Sequence, residues 1–182
     1  MKKLLLGATF LALIILVPIA AMAGININIG ISLPPPIVFQ APPDVIVLPD
    51  SDDVYVDPYI DVDIYFWHGW WWRFWEGRWY YSLYYDRDWR YYDDVPFFYF
   101  DVDPGWRDHY RHHDWYGHPW NYERIPNRRL QQNWNSWYRN QYWRGQRTWG
   151  VQGYQPRLQQ ERQGVRQERQ QQYQERPEVQ KH

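Results

Sequence analysis

Tryptophan and tyrosine are crowded into one part of this chain, and that crowding limits what it can fold into. The sequence has 14 Trp, 17 Tyr and no Cys, and most of the Trp and Tyr lie between Trp67 and Tyr122. Without cysteine no disulfide can form, so burial alone must hold the fold together. Each buried aromatic side chain removes about 150–250 Å² from water. We therefore expect core packing for most of these residues, with the others free to bind a ligand.

The first 23 residues have the pattern of an export signal. Lys2 and Lys3 precede an apolar stretch, Leu4–Ala20, and the small residues before Gly24 resemble a cleavage site. The stretch is broken by Pro18 and is short for a span of roughly 20 residues, so a retained anchor is the less favoured alternative. We expect cleavage after residue 23, no stable transmembrane anchor afterwards, and a periplasmic or secreted protein.

Charge and composition divide the remaining chain. Residues 24–103 hold 14 acidic and 4 basic side chains, whereas residues 104–182 hold 7 acidic and 14 basic ones. Residues 24–53 form a proline-rich segment, predicted to be extended, in which Ile25–Ser32 alternates apolar and polar residues as a half-buried strand does. The charge asymmetry predicts either two segments that attract each other or a basic interaction tail.

Residues 54–126 are predicted to form an aromatic β-rich domain. Turn signals such as Asp57-Pro58, His68-Gly69 and Glu76-Gly77 recur at short intervals, which is typical of an antiparallel meander. The predicted strands are Ile60–Trp67, Trp70–Trp75, Arg78–Tyr85, Trp89–Tyr92 and Pro96–Val102. Because apolar and polar residues alternate poorly within Trp70–Trp75, the pattern does not show which face is buried.

The C-terminal part of the chain has two segments of different composition, residues 127–145 and residues 146–182. Residues 127–145 have apolar side chains at helical spacing after Pro126-Asn127, which offers an N-cap, and they predict an amphipathic helix. Residues 146–182 are rich in Gln and Arg, and apolar residues are too sparse there to predict a packed face. We expect a disordered or weakly helical tail. The predicted fold class is thus mainly β, a small antiparallel sheet or partial barrel with one C-terminal amphipathic helix and a disordered tail.

Two groups of polar residues suggest metal or acid–base chemistry. Imidazole groups suit divalent zinc, copper or nickel, and four histidines lie close together in sequence: His109, His112, His113 and His118. Their spacing matches no hydrolytic motif, so a partly solvated loop is the simpler interpretation.

The sequence also repeats the tripeptide Asp-Val-Asp, at Asp61-Val62-Asp63 and at Asp101-Val102-Asp103. On a strand, each repeat would place two carboxylates on one face, where they could bind calcium or cleave a glycosidic bond. Solvated strand faces that oppose edge aggregation explain the repeats better.

The aromatic residues themselves are the leading candidates for a binding surface. Trp and Tyr faces interspersed with Arg and Asp stack on sugar rings or hold cations, and the residues that we select are Trp70, Trp72, Trp75 and Trp79. Single-stranded nucleic acid is disfavoured because this region is strongly acidic. No Gly-x-Ser-x-Gly motif, cysteine nucleophile or glycine-rich phosphate loop is present, so we do not expect an enzyme or a resident cofactor.

Four motifs are distinctive: Trp70-Trp71-Trp72-Arg73, Glu76-Gly77-Arg78-Trp79-Tyr80, the stretch from Val102 to Arg107, and the stretch from Trp149 to Pro156. Together they resemble the motifs of an uncharacterised group of exported, Trp/Tyr-rich proteobacterial proteins. The resemblance covers most of residues 24–156 and implies export and envelope residence, without any activity.

Our hypothesis is an exported, non-enzymatic cell-envelope protein that binds polysaccharide or peptidoglycan through exposed Trp and Tyr. The alternatives are a periplasmic metal-binding protein that uses the histidines, and a structural or assembly protein whose aromatic residues are all buried and whose basic tail recruits a partner or an anionic envelope surface.

Overall fold

A computed structural model describes residues 32–51, 53–145 and 149–180 of the chain. The predicted signal peptide and nearly all of the predicted strand Ile25–Ser32 lie outside the described residues. Within the described ranges, no helix is both long enough and apolar enough to cross a membrane.

The central element is an open antiparallel sheet of seven strands. The strands of this sheet are β1 (Asp44–Val47), β2 (Tyr55–Val56), β3 (Ile64–Trp67), β4 (Trp70–Trp75), β5 (Arg78–Ser82), β6 (Arg90–Tyr92) and β9 (Ile125–Pro126). Their spatial order is β6-β5-β4-β3-β2-β1-β9, so β1 to β6 form a meander and β9 pairs with the outer edge of β1. A separate hairpin pairs β7 (Asp114–Trp115) with β8 (His118–Pro119). The prediction of a mainly β, antiparallel fold is confirmed.

Two-residue turns set the register at the centre of the sheet. His68 and Gly69 both have positive φ, as do Glu76 and Gly77, which is the backbone geometry of tight hairpin turns. These turns fix β4 at the predicted bounds, Trp70–Trp75. The flanking strands are shorter than predicted because bends at residues 60–62 and 83–87 interrupt them.

Both faces of the sheet are buried, which explains the poor alternation within β4. One face carries Tyr65, Trp72 and Trp79 into one hydrophobic cluster. The opposite face carries Phe66, Trp71 and Tyr80 into a second cluster. The sequence of a strand that is buried on both faces is a nearly continuous run of apolar residues, without alternation.

The first face is covered by a 3-10 helix, Phe97–Asp101, and by helix α1, Trp106–His112. The prediction of a strand over Pro96–Val102 was wrong, because this apolar run turns back to place Phe98, Tyr99 and Phe100 on the sheet. A short apolar run has the same pattern in a strand and in a buried helical segment, so periodicity does not separate the two.

The second face is covered by helices α2 (Asn127–Arg139) and α3 (Tyr142–Gly145). The predicted single helix 127–145 is interrupted where Gln141 adopts a positive φ, and this break turns Trp143 toward the core. Asn127 is the first helical residue and provides no side-chain cap, because the N-cap position is occupied by Pro126. Leu130 and Trp137 are the buried contacts of α2.

The proline-rich segment crosses this second face as an extended strap. The hydroxyl of Tyr80 donates to the carbonyl of Ser32 at 2.8 Å, and Nη1 of the buried Arg73 donates to the carbonyl of Pro35 at 2.5 Å. Farther along, the rings of Phe39 and Tyr85 meet edge to face with centroids 4.8 Å apart. Within the described part of this segment, residues 32–39 form no helix or turn, residues 40–42 bend, Asp44–Val47 forms β1 and residues 49–50 form a turn.

The expectation for the Gln/Arg-rich tail was disorder or a weak helix, and the described part of the tail is largely helical. It contains helix α4, Gln159–Gln174, followed by the short helix α5, Pro177–Gln180. Tyr173 is buried against Tyr99 and Phe100, and two arginines of α4 pair with the buried carboxylate of Asp101. A few long-range contacts thus hold a helix that its own sequence specifies weakly.

Alkaline pH is expected to loosen the attachment of α4. Burial raises the pKa of the Tyr173 phenol from 10.0 to about 12, so the folded state retains this proton more tightly than the unfolded chain does. The corresponding stability, about 2–3 kcal/mol, is fully present below pH 10 and is lost between pH 10 and 12. Urea denaturation across this pH range should show that Tyr173→Phe is less sensitive to alkali than the parent. An equal alkaline loss in both proteins would contradict the prediction.

Candidate functional site

The four predicted binding tryptophans do not form one exposed platform. Trp79 is 1% exposed and Trp72 is also buried, both on the first face of the sheet. Trp70 and Trp75 are partly buried, and they pack against opposite clusters. Trp72 and Trp79 are core residues, so neither offers a free ring face to a ligand.

The four histidines are also not brought together. Among the described residues, no group of three or more His, Cys, Asp or Glu side chains is placed to hold a metal ion. Instead, each imidazole has its own contacts: His109 with the rings of Trp115 and Tyr116, His112 with the carbonyl of Asp108, His113 with the ring of Tyr122, and His118 with the carbonyl of Gln152. The structure therefore assigns these histidines to separate local interactions.

The Asp-Val-Asp repeats do not lie on strand faces either. Asp61 and Asp63 lie in the bend before β3, and Asp63 pairs with Arg107 at 2.9 Å. Asp101 ends the 3-10 helix, and Asp103 begins the turn that leads into α1. Their carboxylates serve as ion-pair and turn residues.

A different group of aromatic side chains does form a partly exposed surface. We call Tyr59, Tyr110, His113 and Tyr122 the tyrosine cluster. Tyr110 packs on Tyr122 with centroids 4.8 Å apart, and His113 stacks on Tyr122 at 5.2 Å. Tyr59 meets Tyr110 edge to face at 6.3 Å. The guanidinium of Arg124 lies 5.0 Å from the centre of the Tyr59 ring, within the range of a cation–π contact.

Three separate chain segments bring this cluster together. Tyr59 lies in the turn after β2, where its amide donates to Oδ1 of Asp57 at 2.8 Å, as is typical of an Asp-initiated turn. Tyr110 lies on α1, and His113 ends that helix in the left-handed conformation. Tyr122 follows the buried Trp120, just before β9.

Hydrogen bonds link the phenol groups of the cluster. The Tyr110 side chain bonds to both Tyr59 and Tyr122, and Tyr122 also interacts with Arg124. Burial raises the pKa of Tyr110 and of Tyr122 above the usual value for tyrosine. The bond with Tyr59 raises the pKa of Tyr110 further and the bond with Tyr110 raises that of Tyr122, whereas the bond with Tyr122 lowers the pKa of Tyr110. The phenols of Tyr110 and Tyr122 therefore stay neutral at physiological pH, and each can both donate and accept a hydrogen bond.

A cleft of about 460 Å³ lies beside Tyr59, between the proline-rich strap and the turn after β2. Its lining residues are Val38, Phe39, Gln40, Ala41, Pro42, Pro43, Asp44, Asp57, Tyr59 and Ile60. Burial raises the pKa of Asp57, and the neighbouring charge of Asp44 raises it further. The cleft thus combines an aromatic wall, apolar proline and aliphatic surface, two carboxylates and one amide.

Such a combination suits recognition of a neutral polyhydroxylated or amine-bearing ligand. A ring face provides apolar stacking, and carboxylate and amide oxygens accept hydrogen bonds from hydroxyl groups. Tyr59 was not among the residues predicted to bind a ligand, because a single tyrosine after Asp57-Pro58 has the pattern of a turn residue. The one feature of the sequence that points to it is its place in a loop, where binding residues are concentrated.

Comparisons with known proteins give no further guidance: no protein-family model, curated protein or solved structure matches this chain.

Proposed function

We propose that this chain is an exported, non-enzymatic cell-envelope protein that binds a carbohydrate polymer, polysaccharide or peptidoglycan, in the cleft beside Tyr59. The observation that carries the proposal is the position of Tyr59, which is 50% exposed and lies at the junction of the tyrosine cluster and the cleft. The export pattern of residues 1–23 supports a periplasmic or secreted location.

Preorganisation supports a binding role for Tyr59. Arg124 lies over its ring, and Tyr110 meets that ring edge to face, so the side chain is held before any ligand arrives. A ring that is already held loses little conformational entropy on binding. The exposed part of the ring borders the cleft, where a sugar ring would stack while its hydroxyl groups bond to Asp44, Asp57 or Gln40.

The charge of the cleft argues against an anionic polymer such as nucleic acid. Asp44 and Asp57 line it, and the desolvated carboxylate of Asp57 would face any phosphate group that entered. Neutral sugars and the amine groups of peptidoglycan stem peptides avoid this repulsion. The binding residue is thus Tyr59, in the turn after β2, and not the predicted tryptophans of β4 and β5.

Replacing Tyr59 with alanine is expected to abolish most binding to insoluble cell-wall polymer. Base–aromatic stacking contacts are worth about 1–3 kcal/mol each by alanine substitution, and we expect a sugar–tyrosine contact to lie in the same range, which corresponds to roughly 5–150-fold in affinity. The measurement is co-sedimentation of purified Gly24–His182 with peptidoglycan sacculi and with extracted polysaccharide.

The control variant is Tyr84→Ala. Tyr84 is also about half exposed and lies under a guanidinium, that of Arg87, but it is in the β5–β6 loop and does not line the cleft. Its loss should leave binding unchanged. Equal weakening by both substitutions would indicate non-specific adhesion and would overturn the proposal.

The structural alternative has one specific observation in its favour, namely that the Trp-rich strands face the two hydrophobic clusters. Under that alternative the basic tail recruits a partner, so deletion of residues 155–182 abolishes envelope retention while Tyr59→Ala has no effect. The tail deletion and the Tyr59→Ala substitution therefore separate the two candidate functions in a single fractionation experiment.

A further inference from the structure

The buried carboxylates of this protein are paired with arginine, with one exception. Three carboxylates are buried in the described part of the chain: Asp50, Asp57 and Asp101. Nε of Arg157 lies 3.6 Å from the Asp50 carboxylate, and Arg166 donates to Asp101 through Nε and Nη2 at 2.5 and 2.6 Å. No arginine, lysine or histidine of the described residues forms an ion pair with Asp57. Because an isolated charge is costly to bury, buried charges are normally paired, and Asp57 lacks such a pair.

Asp57 lines the cleft beside Tyr59, and a second carboxylate lines the same space. This second carboxylate is that of Asp44, the first residue of β1. The register that pairs Ile46 with Val56 places Asp44 beside the turn that contains Asp57. Burial raises the pKa of the Asp57 carboxyl most, and the charge of Asp44 raises it further. The cleft therefore holds two acidic groups that repel each other.

Two arginines approach this region, but neither lines the cleft. The charge of Arg107 lowers the pKa of Asp57 less than burial and Asp44 raise it, and Nη2 of Arg107 pairs with Asp63 at 2.9 Å. The guanidinium of Arg124 lies 5.0 Å from the centre of the Tyr59 ring. The positive charge that would balance Asp44 and Asp57 within the cleft is thus left for a ligand.

The shape and lining of the cleft fit an organic cation better than a metal ion. Among the described residues, no group of three or more His, Cys, Asp or Glu side chains is placed to hold a metal. The cleft volume, about 460 Å³, is within the range of small-molecule pockets. Its apolar surface comes from Val38, Pro42 and the Tyr59 ring, which suit methylene groups and a neighbouring cation. An ammonium group has three donors, and two carboxylates and the side-chain oxygen of Gln40 can accept them.

We propose that the ligand of this cleft presents a primary ammonium group, which neutralises Asp57 and Asp44 while its carbon stem packs on Tyr59. The inference rests on the proposed function, because it assigns the ligand group for the same cleft. A cell-wall polymer supplies this chemistry from two sources, the side-chain amine of a diamino acid in a peptide stem and the amine of a deacetylated amino sugar.

Matched amine and amide probes test the ammonium group. Calorimetric titration of purified Gly24–His182 compares Nα-acetyl-lysine amide with its Nε-acetylated form, and glucosamine with N-acetylglucosamine. Hydrogen bonds to charged groups are strong enough that acetylation of the amine should weaken binding by roughly 10–150-fold. The pair that shows this loss identifies the source. If neither pair distinguishes amine from amide, the proposal is overturned.

Asp57→Asn removes the charge and keeps an oxygen that can accept the Tyr59 amide. We expect it to weaken binding of the amine probe by the same factor and to leave the acetylated probe unaffected. Asp44→Asn is the second variant in case Asp57→Asn does not fold, since Asp44 is exposed at the start of β1. The matched control is Asp94→Asn, because Asp94 also accepts a main-chain amide, that of Val95 at 2.7 Å, and lies outside the cleft. Amine binding that is unchanged in a folded Asp57→Asn or Asp44→Asn variant, or equally weakened by Asp94→Asn, would contradict the proposal.

Co-sedimentation with chemically acetylated sacculi separates this inference from the proposed function. We expect the parent protein to bind native sacculi and to lose most binding once their amines are acetylated. If both forms bind equally and Tyr59→Ala binds neither, the proposed function stands and the ammonium assignment fails. If neither form binds but the amine probes give the expected pattern, the ammonium site stands and the proposed polymer is wrong.

Discussion

Replacing Asp101 with asparagine is expected to detach helix α4 and to lower the free energy of unfolding by about 3–5 kcal/mol, the cost typical of removing one partner from a buried ion pair. The Asp101 side chain is only 3% exposed, and Nε and Nη2 of Arg166 donate to it at 2.5 and 2.6 Å. Nη2 of Arg162 lies 3.6 Å from the same carboxylate. Urea denaturation measures the loss, and amide hydrogen exchange across residues 159–174 shows whether it is local to α4.

A large effect is expected because the substitution leaves two guanidinium groups facing a desolvated neutral amide. Asparagine has nearly the size of aspartate, so packing is preserved and the change isolates the charge. The control is Asp108→Asn, which breaks an ion pair with Arg111 at 2.6 Å on the surface of α1, where the Asp108 side chain is 71% exposed. Surface pairs are worth about 0–1 kcal/mol. Equal effects of the two substitutions would show that Asp101 does not anchor α4.

The structure of the tail depends on contacts that the local sequence does not indicate. Apolar residues are few within residues 155–182, so the composition of this segment alone predicts little packed structure. The residue that fixes the helix is Asp101, 65 positions before Arg166. The sequence pattern predicts only that Asp101, the first residue of Asp101-Val102-Asp103, lies on a solvated strand face. A pairing over such a separation has no local signature, although the opposite charges of the two halves of the chain are consistent with it.

Elements that depend on local chemistry were predicted well. The His68-Gly69 and Glu76-Gly77 turns fix β4, and the start of α2 follows Pro126. Elements that depend on tertiary contacts were predicted poorly, and the 3-10 helix at Phe97 is one example. The tyrosine cluster is another, because its members come from a turn, a helix and an extended segment that only the fold brings together.

Trp79 decides whether the Trp-rich strands are core or binding surface. Its ring meets Tyr99 at 4.8 Å, Phe74 at 5.4 Å and Phe98 at 6.0 Å, all on the first face of the sheet. Trp79→Ala is expected to cost about 3–5 kcal/mol, the usual range for removing a buried aromatic ring, because the surrounding rings cannot close the cavity. Chemical denaturation of the purified variant gives this value.

Trp75→Ala is the matched comparison, since Trp75 lies in the adjacent strand and pairs directly with Arg78, but is only partly buried. Its loss should cost clearly less than the loss of Trp79, because less apolar area returns to water. Polymer binding should persist in both variants wherever they remain folded, since neither residue lines the cleft. A stable Trp79→Ala protein that no longer binds polymer would reverse this assignment and would move the binding surface from Tyr59 back to the tryptophan strands.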